Sequence, residues 1–342
     1  MKRTGLGRIL WWAAPILLAV GIASRAADLR EIAASLVGVK PGWVAAALVL
    51  GVLFTLNQGA LYRAIFRLFD VRISLRESVR LALVMAFGSL APAGTVAGIA
   101  YFVSTAREHG IPGPRAILTS LAFYLFDYGA LLPVVAAGVT VLLTHHGAEV
   151  RLVTAGGIVL LITAAVGGAL LWGLADGRAL GTASRLASAI NVLIARLHRR
   201  PVDRRRAAAW VADLRQIAIH LRRNRGRVPA LFLYGVAVQL TSLATFAAVL
   251  RAVGAPLSPA IVVAGYAVGA IFAVVAITPS LGIVETAITL ALVSVDVSIN
   301  QAVAAAVLFR LNTLWLPMLA GYIAVRHARS AVPARSSTAA SA

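Results

Sequence analysis

The chain has 342 residues, 60% of them hydrophobic and 13% charged, with a mean hydropathy of +0.89, which is more apolar side chain than one soluble core can bury. A net charge of +20 would suit nucleic acid, but the arginines lie in loops beside hydrophobic runs, so an integral membrane protein is expected and nucleic acid is set aside as a partner. The runs are continuous rather than alternating, which excludes a β-barrel, and the lack of cysteine excludes disulfides and thiolate metal sites.

In chain order, apolar segments cover residues 9–25, 43–62, 81–105, 116–143, 151–175, 229–250, 259–278, 281–294 and 301–325. Several approach the roughly 20 residues that a helix needs to cross about 30 Å of hydrocarbon. The opening MKRTGLGR before ILWWAAPILLAVGIA has the form of a signal peptide, with Ser24-Arg25-Ala26 a weak cleavage site. It reads better as an uncleaved first helix with its basic end in the cytoplasm.

The arginines also fix parity. Residues 63–80 carry Arg63, Arg67, Arg72, Arg76 and Arg80, and residues 176–228 carry a larger excess, so both belong in the cytoplasm. An odd number of crossings between them would place them on opposite sides. One of the three intervening segments must therefore enter and return, and 81–105 is the one broken by Pro92, Gly94 and Gly98, which remove a helical hydrogen bond and relax the backbone. The same count, with Arg326, Arg329 and Arg335 inside, requires a second hairpin at 259–294, broken at Thr278-Pro279-Ser280-Leu281-Gly282.

The expected fold is all-α and polytopic: about six full crossings plus two broken or re-entrant hairpins, with both termini inside. Its halves, 9–143 and 151–325, each read helix, helix, hairpin, helix, and three crossings per half invert the second copy. Residues 1–325 form a single transmembrane domain, 176–228 a basic cytoplasmic insert and 326–342 a disordered Ser/Ala-rich tail. In the insert, Leu186, Ile190, Leu193 and Leu197, then Trp210, Leu214, Ile217 and Leu221, recur at helical spacing around Pro201. These two amphipathic helices either lie on the anionic leaflet or bury their stripes against each other.

Of twelve acidic residues, only Asp127 and Glu285 fall well inside apolar segments, and Arg310 is the one basic residue so placed. Each is costly in hydrocarbon unless paired or wetted. Glu285 follows the second break, where the positive end of a half-helix favours a carboxylate. Asp127 and Arg310 follow the first and second breaks on corresponding helices. A cluster of the three is expected, with a salt bridge that only holds helices together as the alternative. Asn57, Gln58, Gln239 and Asn312 are weaker candidates, because amides in membrane helices more often join neighbours. No paired carboxylates, nucleophile or metal-ligand set appears, and His145-His146 has no further ligands nearby in sequence. No Walker-type nucleotide motif is present either, so no catalytic residue, metal or cofactor is expected.

The run ITPSLGIVETAITLALVSVDVSINQAVAAAVLFRLNTLWLPMLAGY resembles the C-terminal signature of the lysylphosphatidylglycerol synthase transmembrane (flippase-like) family, with Pro279, Gly282, Glu285 and Arg310 at its turn, acid and base. SLAPAGTVAGIAYFVSTAREHG is similar to the family's earlier turn through Pro92 and Gly94. The chain departs from the pattern at Ser280-Leu281, where a glycine pair is common; at Phe123-Tyr124, where a Glu-Arg pair often precedes the aspartate; and at Ala97 and Gly98. The resemblance implies movement or presentation of a phospholipid or a polyprenyl-linked glycan in a bacterial-type cytoplasmic membrane. Glu285 and Arg310 would contact a charged headgroup or switch a proton and Asp127 would complete the pair, with Tyr124 and Asn312 in support. Because the Ser/Ala-rich tail cannot fold as the soluble domain of the aminoacyl-transferring members, no such activity is expected. A non-transporting scaffold for a glycosyltransferase or lipid-modifying enzyme is the alternative, and a homodimer or a membrane enzyme is open as a partner.

Overall fold

A computed structural model describes residues 38–88, 94–111, 113–145, 223–275 and 282–330. The first apolar segment, segment 151–175, most of the basic insert and the end of the tail lie outside the described residues. Within the described residues all regular structure is helical. The helices are α1 (Pro41–Leu68), α2 (Leu75–Gly88), α3 (Gly94–Glu108), α4 (Gly113–His145), α5 (Val228–Ala252), α6 (Pro259–Val275), α7 (Ile283–Val293), α8 (Ile299–Arg310) and α9 (Leu316–Ser330), with a π-helical turn, Leu311–Trp315, joining the last two.

Sequence dictates the boundaries. Pro41 opens α1, where its missing N–H would be unpaired anyway, and Asp70 turns the chain after it with a left-handed φ of 61°. α1 and α4 run past their apolar segments into basic or polar ends, because a helix continues beyond the hydrophobic window until a turn residue stops it. The C-terminal segment, read as one uniform helix in the sequence, instead changes register between α8 and α9. Pro317 cannot donate to the ladder, and the wider turn just before it is where a bulge relieves that defect. There Asn312 Nδ2 donates to the Leu308 carbonyl at 2.8 Å and Thr313 Oγ1 to the Phe309 carbonyl at 2.9 Å.

Among the described residues, four helical stretches are long and apolar enough to cross a membrane: Pro41–Leu68, Ala122–Thr144, Val228–Ala252 and Ile299–Arg326. Between them come two pairs of shorter helices, so the order long, short, short, long occurs twice. Each short pair folds back on itself. Glu77 at the start of α2 meets His109 after α3 at 3.2 Å, and in the second pair Gly265 lies against Leu292 and Gly269 against Ile288. Val49, Leu233 and Leu290 are each more than 60% exposed, the surface expected of a bundle solvated by lipid.

The two sets of helices pack reciprocally. α1 packs on α5, α4 on α6, and α9 on α2. α1 and α5 run antiparallel: the Lys40 amide donates to the Ala252 carbonyl at 2.8 Å, and at the other end Arg227 Nη1 donates to the Arg67 carbonyl at 2.7 Å. Matching glycines seal the exchanged contacts. Gly138 of α4 sits on the Val263 carbonyl and Ala267 Cβ of α6, while Gly321 of α9 sits on the Leu83 carbonyl and Phe87 Cβ of α2. In each case the contact is a carbonyl and the side chain one turn later, and each glycine follows Asp127 or Arg310 at the same distance along the chain.

Candidate functional site

The charged residues of the two long helices meet at one place. A cavity of about 190 Å³ is lined by Asp127 and Tyr128 of α4, Gln239 and Ser242 of α5, Tyr266 of α6, Val284 of α7, and Phe309 and Arg310 of α8. Every long or half-helix of the second set therefore contributes to a wall that also holds the aspartate of the first.

Glu285 and Arg310 form one unit. Gly282, with a φ of +92° that suits only glycine, turns the chain into α7 and serves as its N-cap. Glu285 stands in the first turn, where Oε2 accepts the Gly282 amide N–H at 2.8 Å and the helix dipole favours its charge. Its Oε1 accepts from Arg310 Nε at 3.1 Å, with side-chain exposures of 9% for Arg310 and 18% for Glu285. The carboxylate thus caps its own half-helix and neutralises the arginine of the long helix at the same time.

Asp127 is held by a second unit. Its Oδ1 accepts from Gln239 Nε2 at 2.8 Å, and the same amide nitrogen lies 3.2 Å from the Asp127 main-chain carbonyl. Tyr266 then donates its hydroxyl hydrogen to Gln239 Oε1 at 2.6 Å. Three helices are joined in a chain of hydrogen bonds that runs from a phenol, through an amide, to a carboxylate. All three residues are buried, with exposures of 9% or less.

The expected cluster of Glu285, Arg310 and Asp127 is assembled as two units around one cavity, with Asp127 and Arg310 on its wall and Glu285 behind Arg310. Gly282 has the predicted place at the break, and Gly94 opens α3; Pro92 and Pro279 lie outside the described residues. Tyr124 and Asn312 do not line the cavity. Tyr124 is half-buried, edge-on to Phe123 and beside Tyr128, and Phe123 stacks on Tyr62 with centroids 4.0 Å apart. Where the resemblance would place a Glu-Arg pair, this chain builds an aromatic contact between α1 and α4. Asn312 is 3% exposed, with Oδ1 against Gly51 of α1. Gln239, read as helix glue, both joins helices and faces the cavity. Tyr266 was missed in the sequence; the signal was a lone hydroxyl in the otherwise apolar and small-residue helix PAIVVAGYAVGAIFAVV, where a buried phenol needs a partner.

Among the described residues no three His, Asp or Glu side chains converge as a metal site would require. The arrangement offers a neutralised cation, a carboxylate, the hydroxyls of Tyr128, Ser242, Tyr266 and Thr313, and aromatic walls, which suits a polar group taken into an apolar bundle.

Residues 9–321 match the family model described as Lysylphosphatidylglycerol synthase TM region. No curated protein matches the chain.

Proposed function

Since the chain belongs to the lysylphosphatidylglycerol synthase transmembrane family, we propose that it is a flippase-like protein that translocates or presents a phospholipid or lipid-linked glycan in a bacterial-type cytoplasmic membrane. One observation carries this reading: Asp127 and Arg310, on equivalent helices of two reciprocally packed sets, line a single cavity between those sets. A two-fold related pair of broken-helix units with a polar site between them is the arrangement on which alternating access is built. The antiparallel α1 and α5 support inversion of the second set. α2 and α3, at 14 and 15 residues, reach only about 21 and 22 Å as regular helix and so support re-entry rather than crossing. With segments 9–25 and 151–175 as the remaining crossings, the count is six spans and two hairpins.

In this reading Arg310, with Glu285 as counter-ion, and Asp127 receive the polar headgroup, while the acyl chains remain in lipid. The protein moves or presents its lipid without covalent chemistry. The test replaces Glu285 and Arg310 together, as Glu285→Gln with Arg310→Met, in cells whose own copy is deleted. Leaflet distribution of amino- and glycolipids is then read with membrane-impermeant amine- and diol-reactive probes. The expected result is loss of the wild-type distribution with the protein folded and at normal abundance. An unchanged distribution, lost instead when residues 180–225 are deleted, would establish the scaffold role in its place.

A further inference from the structure

The two acids at the cavity are held in different ways. Both oxygens of Glu285 are engaged, one by the Arg310 guanidinium and one by the amide N–H that caps its helix. Asp127 receives one neutral amide N–H on Oδ1. Among the described residues Oδ2 takes no hydrogen bond, while the residue lines the cavity.

The orientation of the second unit is fixed at Asp127. The Asp127 main-chain carbonyl can only accept, so Gln239 must present its NH₂ to Asp127, which leaves its oxygen to take the Tyr266 hydroxyl hydrogen. That NH₂ also spans the Asp127 main-chain carbonyl, which pins the side chain and the backbone together. The ionisable groups around Asp127 are Tyr124 and Tyr128 on its own helix, Tyr62 from α1, Tyr266 from α6 and Arg310 from α8, with Glu285 of α7 behind Arg310. Among the described residues the one cation at the cavity, Arg310, already has its counter-ion. With Asp127 ionised the site carries an uncompensated negative charge in a medium of low dielectric, and a bound proton removes it.

We propose that Asp127 is the proton-exchanging carboxylate of the cavity, that Gln239 and Tyr266 are the positioning residues that hold it there, and that Glu285 is a fixed counter-ion. The inference rests on the lipid-handling reading in taking the cavity to lie within the membrane. It gives the cavity a way to change its charge by one without breaking the Glu285–Arg310 pair, and it separates two acids that the sequence treats alike.

The test uses dicyclohexylcarbodiimide, an apolar reagent that attacks protonated carboxyl groups inside membranes. The acid oxygen adds to the central carbon of the reagent as the proton passes to nitrogen, and acyl migration to nitrogen leaves a stable N-acylurea that mass spectrometry can locate. The full-length protein in liposomes should carry the adduct on Asp127 and lose it as pH rises; Asp127→Asn should abolish it. Gln239→Leu removes the donor that favours the charged form, so the pH midpoint for labelling should rise by about one unit. Tyr266→Phe, the milder variant, should shift it the same way by less. Glu285→Gln removes the carboxylate paired with Arg310 and should shift it downward. A purely structural Asp127 would not give opposite shifts. The absence of an adduct on Asp127, or a midpoint that neither Gln239→Leu nor Tyr266→Phe moves, overturns the proposal. Labelling requires no lipid substrate, so this result and the leaflet assay can fail separately.

Discussion

Arg310 Nε lies 3.1 Å from Glu285 Oε1, and through that contact the long C-terminal helix is tied to the first turn of α7. The pair therefore has a fold role as well as a site role, and the two separate on mutation. Losing one partner of a buried pair leaves a charge uncompensated, whereas losing both removes the burial penalty along with the attraction. Arg310→Met or Glu285→Gln alone should each lower stability by about 3 kcal/mol, at the lower end for a buried pair because this one borders a cavity. The double variant should recover most of that loss. Thermal unfolding in detergent measures all three, and a loss in the double equal to the sum of the two single losses would show that the pair contributes nothing specific.

The reciprocal glycines make a second prediction. A Cβ on Gly138 would meet the Val263 carbonyl and Ala267 Cβ, and one on Gly321 the Leu83 carbonyl, whereas a Cβ on Gly129 of the same α4 would meet nothing within 4 Å. Backbone cannot yield as a flexible side chain can. Gly138→Ala and Gly321→Ala should each cost about 1–3 kcal/mol, and Gly129→Ala should leave the melting temperature level or slightly raised. Similar losses at 138 and 321 would mark the two contacts as equivalent.

Gln239 predicts an ordering. Gln239→Leu strips the donor from Asp127 and the acceptor from the Tyr266 hydroxyl, so two buried hydrogen bonds are lost at a cost of about 1–3 kcal/mol. Tyr266→Phe leaves only the Gln239 oxygen, which should cost about 1 kcal/mol. Combining them should cost less than the sum, because both variants lose the same Tyr266–Gln239 hydrogen bond. A double-mutant cycle by chemical unfolding in mixed micelles reads the coupling, and strict additivity would break the link between Tyr266 and Asp127.

Several of these features were legible in the sequence because they break its dominant pattern. A charge in an apolar run is conspicuous, so Asp127, Glu285 and Arg310 could be picked out before any geometry was known. The placement of Glu285 in the first turn of a half-helix followed from the Gly282 break. The pairing of Asp127 with Gln239, and of Gln239 with Tyr266, was not legible, because it depends on how α5 faces α4 and α6, which periodicity does not encode. The π turn at Leu311–Trp315 escaped for a related reason: a one-residue register change leaves the run just as hydrophobic. Small residues abound throughout the chain, so nothing in the sequence separated Gly138 and Gly321, which touch opposing backbone, from Gly129, which touches nothing.

The last prediction concerns the arrangement in the membrane, and the cysteine-free chain makes it direct. Lys40 bonds next to Val253, Arg67 bonds to Arg227, and Glu77 bonds to His109. Cysteine pairs at 40 and 253, at 67 and 227, and at 77 and 109 should therefore each cross-link with a short bismaleimide. Sidedness then decides the topology. Since α1 and α5 are antiparallel, positions 40 and 253 share one end of the pair, and 67 and 227 the other. The arginine-rich end belongs in the cytoplasm, so an impermeant maleimide applied to intact cells should reach 40 and 253 but spare 67 and 227. Position 109 carries the heavier consequence. If α2 and α3 form a hairpin that enters and returns, Glu77→Cys and His109→Cys are both cytoplasmic, and both stay unlabelled until the cells are opened. Labelling of 109 from outside, with 77 protected, would mean that the pair crosses the membrane, which is incompatible with the 3.2 Å contact between those residues and would remove the six-span, two-hairpin arrangement.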